Sequence, residues 1–146
     1  MCRKRGARRK QHIPGAYILA HTPITKGGQD KLGMLYHASL DGLRRGRGSH
    51  DLWQNLADAI NVSLCFAENN GVLATYTVDI RKAQDALVAC RDRFKKSDKW
   101  GMTGDEAKAV MRGLTIYDEQ NAAATVGQQI RSLAEVRVRL EMGDIR

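Results

Sequence analysis

The chain has two prolines in 146 residues, and both, Pro14 and Pro23, precede residue 24. Nothing downstream therefore carries the residue that most strongly interrupts a helix. Aromatic residues make up only 5%, and no RNA-binding aromatic motif is present, so any nucleic-acid contact is expected to be directed at the backbone. Cysteine is scarce: Cys2, Cys65 and Cys90 form no Cys-x-x-Cys pair. Cys65 and Cys90 lie in apolar helical patterns. In a hairpin turning near Gly71 they would lie about 9 and roughly 28 Å from the turn, at 1.5 Å per residue. A disulfide within that hairpin is excluded, and a reducing setting is expected. No apolar run approaches the roughly 20 residues of a membrane span. The short apolar piece after the basic start, Ile13 to Ala20, contains Pro14 and Gly15 and lacks a convincing cleavage site. Neither export nor membrane insertion is expected.

Acidic residues are missing from the whole first segment. Residues 1–28 hold Arg3, Lys4, Arg5, Arg8, Arg9, Lys10 and Lys26 and no acid. The chain carries 24 basic and 16 acidic residues, so the remaining 118 residues hold 17 basic against 16 acidic. The body is nearly neutral and the net charge of +8 belongs to the arm. Such an arm suits a polyanion, with nucleic acid first among them.

The pattern of apolar residues predicts an all-α fold: a bundle of four to five helices joined by short loops, residues 29–146, preceded by an extended basic and apolar arm, residues 1–28. The first helix is expected from Gln29 to Arg45, burying Leu32, Leu35, Tyr36, Ser39, Leu40 and Leu43. It ends in the turn Arg44-Arg45-Gly46-Arg47-Gly48. Ser49 caps a second helix whose stripe is Leu52, Trp53, Leu56, Ile60, Leu64 and Ala67, stopping at Asn70-Gly71. A third, Thr75 to Lys96, carries Tyr76, Ile80, Ala83, Leu87, Cys90 and Phe94 as nearly three heptads of an a/d seam. That seam fits the inside of the bundle or a dimer. Thr103 and Glu106 form a capping box opening a fourth helix with Ala107, Val110, Met111, Leu114 and Tyr117. Around Asn121 to Thr125 the phase slips, leaving one bent helix or two shorter ones open. The last segment is expected to bury Val126, Ile130, Leu133, Val136 and Leu140.

Catalytic and cofactor chemistry finds little support. His12, His21, His37 and His50 are scattered without ligand spacing, so no metal site is expected. Lys26-Gly27-Gly28 and Arg47-Gly48-Ser49 follow no strand and have no Walker spacing, and no serine sits on a nucleophile elbow. No enzyme activity, cofactor or small-molecule substrate is expected. The candidate nucleic-acid contacts are Arg3, Lys4, Arg5, Arg8, Arg9 and Lys10, with Arg44, Arg45 and Arg47 at the turn, because a guanidinium donates two parallel hydrogen bonds to phosphate. A solubilising tail is the plainer alternative for the arm, and an ordinary solvated loop is the favoured reading of the turn. Ile13, Tyr17, Ile18, Leu19 and Ile24 form a candidate docking segment for a protein partner or a second copy, whether it lies on its own bundle or on a neighbour.

The opening Met1-Cys2-Arg3-Lys4-Arg5, the stretch Leu43 to Ser63, and Trp100-Gly101-Met102-Thr103-Gly104 through Tyr117-Asp118 resemble short helical proteins encoded in prophages of β-proteobacteria. That family has no assigned activity and supplies no site residues. The resemblance implies a phage or prophage accessory protein in the bacterial cytoplasm, or a component of a phage particle. Two further readings stand beside nucleic-acid binding. One is a structural or adaptor protein in a larger assembly such as a virion, suggested by the apolar arm segment and the seam of the third helix. The other is an inhibitor that binds a host protein.

Overall fold

A computed structural model describes residues 18, 20–143 and 145. Over those residues the fold is all-helical. The elements are α1 (Lys26–Arg44), α2 (His50–Asn70), a 3-10 turn (Ala74–Tyr76), α3 (Thr77–Ser97), α4 (Gly104–Ala123) and α5 (Val126–Met142). Four helix starts are capped by a side chain that accepts a backbone N–H otherwise left without a partner. Thr25 accepts from Gly28 and Ser49 from Leu52, while Thr103/Glu106 and Thr125/Gln128 are complete capping boxes. Gly71 and Gly143 end α2 and α5 in the left-handed conformation, where a β-carbon would be penalised.

The core is organised around α2, which packs on α1, α3, α4 and α5. Nine successive residues, Ala59 to Ala67, are buried, as expected only of a helix covered on all sides. Phe66, Leu56, Ile60 and Leu64 are fully enclosed, each contributing about 1.5–3 kcal/mol of hydrophobic stabilisation. The a/d seam of α3 is used internally: Ile80, Ala83, Leu87 and Cys90 are buried as α3 packs against α2 and α4, with Tyr76 and Phe94 at its half-buried ends. Trp53 donates its indole N–H to the Leu87 carbonyl at 2.9 Å, which satisfies the polar edge of a buried ring. Cys65 and Cys90 are buried free thiols.

The chain breaks at Ala124, which is extended (φ −85°, ψ 159°), so α4 and α5 are separate helices. The break is held from a distance. Val126 N–H donates to the Thr22 carbonyl at 2.7 Å, Ile24 N–H to the Ala124 carbonyl at 3.5 Å, and Pro23 bridges antiparallel to Thr125.

Several expectations need correction. The helix expected from Gln29 begins three residues earlier, at Lys26, and ends at Arg44. Ile24, assigned to a docking segment, is buried in the chain's own core. Leu35 on α1 and Met111 on α4 are exposed, because each lies on the flank of its stripe rather than its centre. In α5 only Ser132 and Val136 are buried, while Ile130, Leu133 and Leu140 are exposed.

Packing is close where α4 crosses α2 and α3. A β-carbon on Gly113 would lie 2.6 Å from Ile60 Cδ1 and 2.8 Å from Ala83 Cβ. Gly113→Ala should destabilise the fold by about 1–3 kcal/mol despite the better helix propensity of alanine. Gly27→Ala, with nothing within 4 Å, should be neutral or slightly stabilising. Urea denaturation of the two variants against the parent checks this.

Candidate functional site

The turn from α1 to α2 is built by three backbone hydrogen bonds and two close approaches. Arg45 N–H donates to Asp41 O, Gly46 N–H to Leu43 O and Arg47 N–H to Gly42 O, with Gly46 at φ +71°. A β-carbon on Gly48 would collide with Trp100 Cβ, and one on Gly42 would lie 2.7 Å from Leu52. Trp100 is itself clamped. It stacks on Phe94 at 4.1 Å with planes 10° apart and faces Trp53 at 5.8 Å. The exposed His50 ring stands edge-on to Trp100 at 6.2 Å. These aromatics fix the turn, and both indoles are already stacked within the protein.

This rigid turn presents guanidinium groups to solvent. Arg45 is engaged by Asp41 at 2.8 Å. Arg44 and Arg47 are exposed, and neither has an ion pair among the described residues. Arg44 forms one side of a groove of about 420 Å³ whose other side is the outer face of α4, with Ala107, Lys108, Met111 and Arg112. Lys108 has only a loose contact to the fully exposed Asp105, at 4.0 Å. Arg112 lies 3.5 Å from Asp79 and 5.0 Å over the Tyr76 ring. The groove thus has an apolar floor and three cations at its edge. Sequence reasoning found Arg44, Arg45 and Arg47 but missed Lys108 and Arg112. Their i, i+4 spacing would have placed them on one face of the helix. The arm residues Arg3, Lys4, Arg5, Arg8, Arg9 and Lys10, and Ile13, Tyr17 and Leu19 of the docking segment, lie outside the described residues. Ile18 is exposed.

Other arginines serve the fold. Arg93 pairs with both carboxylate oxygens of Glu106 and donates to Gly101 O, joining α3 to α4. Glu68 on α2 accepts from Arg81 on α3 and Arg139 on α5. Burial alone would raise both carboxyls. The hydrogen bonds from Arg139 and Arg81 to Glu68, and from Arg93 to Glu106, outweigh it and hold each below its ordinary value.

His37 Nε2 lies 2.7 Å from Asp118 Oδ2. No nucleophile is hydrogen-bonded to this pair among the described residues, where it ties α1 to α4. No group of three or more potential metal ligands occurs among the described residues, and no helix there is long and apolar enough to cross a membrane. Burial pushes the Cys65 thiol up to about 11 and raises Cys90 as well, which leaves both poor nucleophiles at neutral pH.

The two carboxylates make stability acid-sensitive. A depressed folded-state pKa contributes stability that is complete above the unfolded value of 4.5 and is lost as pH falls through the folded value. Melting temperature should therefore fall on acidification below that point, and Glu68→Gln with Glu106→Gln should flatten this limb. Thermal melts across an acid pH series read both effects. No family model, curated protein or solved structure matches this chain, so its functional reading rests on the arrangement of its own side chains.

Proposed function

We propose that this protein is a non-enzymatic accessory protein that binds the nucleic-acid backbone without strong sequence preference, acting in the cytoplasm of a phage-bearing bacterium or within a phage particle. The observation that carries this reading is the cationic groove. Arg44 at the end of α1 and Lys108 and Arg112 on α4 line a groove with an apolar floor, and the unpaired Arg47 follows Arg44 by three residues on a turn held by close packing. Phosphate contacts of this kind give affinity and position rather than sequence information. The six cations of residues 3–10 add a second, tethered source of the same attraction. The groove has charge without a base-reading element, since Trp53 and Trp100 are occupied by their own stacking.

Fluorescence anisotropy with duplex and single-stranded oligonucleotides across a salt series tests the reading. Log affinity should fall linearly with log salt, by about 0.9 per phosphate contact on duplex. Deleting residues 1–12 should reduce that slope by several contacts. Arg44→Glu combined with Lys108→Glu should reduce it by about two. Affinity that survives both changes would sink the proposal.

A further inference from the structure

α5 is the least covered helix of the bundle. Of its 17 residues only Ser132 and Val136 are buried, although the helix is rich in apolar side chains. Ile130, Leu133 and Leu140 are 51, 53 and 45% exposed. Together with Val126 and Arg137 they recur at steps of 4, 3, 4 and 3, the a/d repeat that lets one helix seat against another. Leu133, Val136 and Leu140 also form one wall of a groove of about 430 Å³, with Tyr36 of α1 and Val62 of α2 opposite. Arg137 and Glu141 stand on the α5 side of this groove and Asp58 on the α2 side. Asp58 accepts a hydrogen bond from Gln54, and Arg137 has no ion pair among the described residues.

We infer that a second copy of this chain docks on the α5 face, forming a two-fold dimer in which each α5 ridge lies in the other copy's groove. The charges identify the occupant. Two carboxylates beside the groove repel a polyanion, and one guanidinium lining it with two acids does not select a partner of single sign. A surface with both signs around an apolar floor is complementary to itself, as an isologous interface must be. The Arg137 guanidinium of one copy then faces Asp58 or Glu141 of the other. The area sets the strength. A 17-residue helix is roughly 25 Å long and two helices are about 20 Å across, so each copy covers on the order of 500 Å². A total near 1,000 Å² belongs to weak interfaces, so the dimer should form only at concentrations above about 1 μM.

Sedimentation velocity on the full chain, from low to high micromolar protein, tests this. The average mass should rise toward two copies with concentration. It should hold at roughly 0.5 M salt, where contacts between exposed charges are screened and nucleic-acid binding fails. Leu133→Glu should weaken association about tenfold or more, and Leu140→Glu should do the same. Both side chains are about half exposed, so the variants should keep their helicity and melting temperature by circular dichroism. A chain that stays monomeric throughout would overturn the proposal, as would a dimer indifferent to both substitutions or one that salt dissociates. Cross-linking of residues 13–19 to α5 within a monomer would also overturn it, by giving the groove to the arm.

Discussion

The constraint on which the structure depends is the enclosure of α2. With Ala59 to Ala67 buried in unbroken succession, no direction around the helix is left to water, and neighbours must cover each side. Two consequences follow. Neighbours have to approach closely, which is why α4 presents Gly113 to Ile60 and Ala83. Polar groups carried inside must also find partners there, because an unpaired one costs about 1–3 kcal/mol. Ser63 donates to Gln120 Oε1, and Gln120 returns its amide hydrogens to the carbonyls of Ser63 and Val72. Gln84 donates to Asn61. These polar groups tie α3 and α4 to the helix.

Around that core the charges divide into two kinds. Arg81, Arg93 and Arg139 join neighbouring helices through Glu68 and Glu106, Arg139 also holds Glu135 within α5, and their reach is already taken up. Arg44 and Arg47 have no acid to hold among the described residues, yet the turn beneath them is immobilised by Gly48 against Trp100. Fixing unpaired guanidinium groups on a rigid turn lowers the ordering cost of binding an anion. The near-neutral balance of the body therefore conceals a local excess that the composition alone does not reveal.

How much of this was legible in the sequence varied with the range of the interactions involved. The helix starts at Ser49 and Thr103 were readable because a cap is settled within four residues. The seam of α3 was readable as a face, and its cover comes from the neighbouring α2 and α4. In α5 the same reasoning identified Ile130, Leu133 and Leu140 correctly as one stripe but expected it inside. Spacing shows that a face exists and does not say what covers it. The choice was made by Ser132 and Val136, with Ser132 held by Asn70 at 2.9 Å. The separation of α4 from α5 had no local answer either. The Ala122–Ala124 run favours a continuous helix, and the outcome reflects backbone pairing with Thr22 to Ile24, a hundred residues away in sequence. Lys108 and Arg112 went unremarked because only folding brings them beside Arg44.

That pairing of Thr22 to Ile24 also sets the geometry of any binding by the arm. It fixes the arm's departure point beside the N-terminus of α1, whereas the basic turn stands at the C-terminus. The 19 residues of α1 separate the two by roughly 28 Å. A straight duplex following that span would present about eight base pairs at 3.4 Å each. Under the proposed function the arm and the turn would act on one continuous backbone or on two separate ones, and the length of nucleic acid that first engages both would tell these arrangements apart.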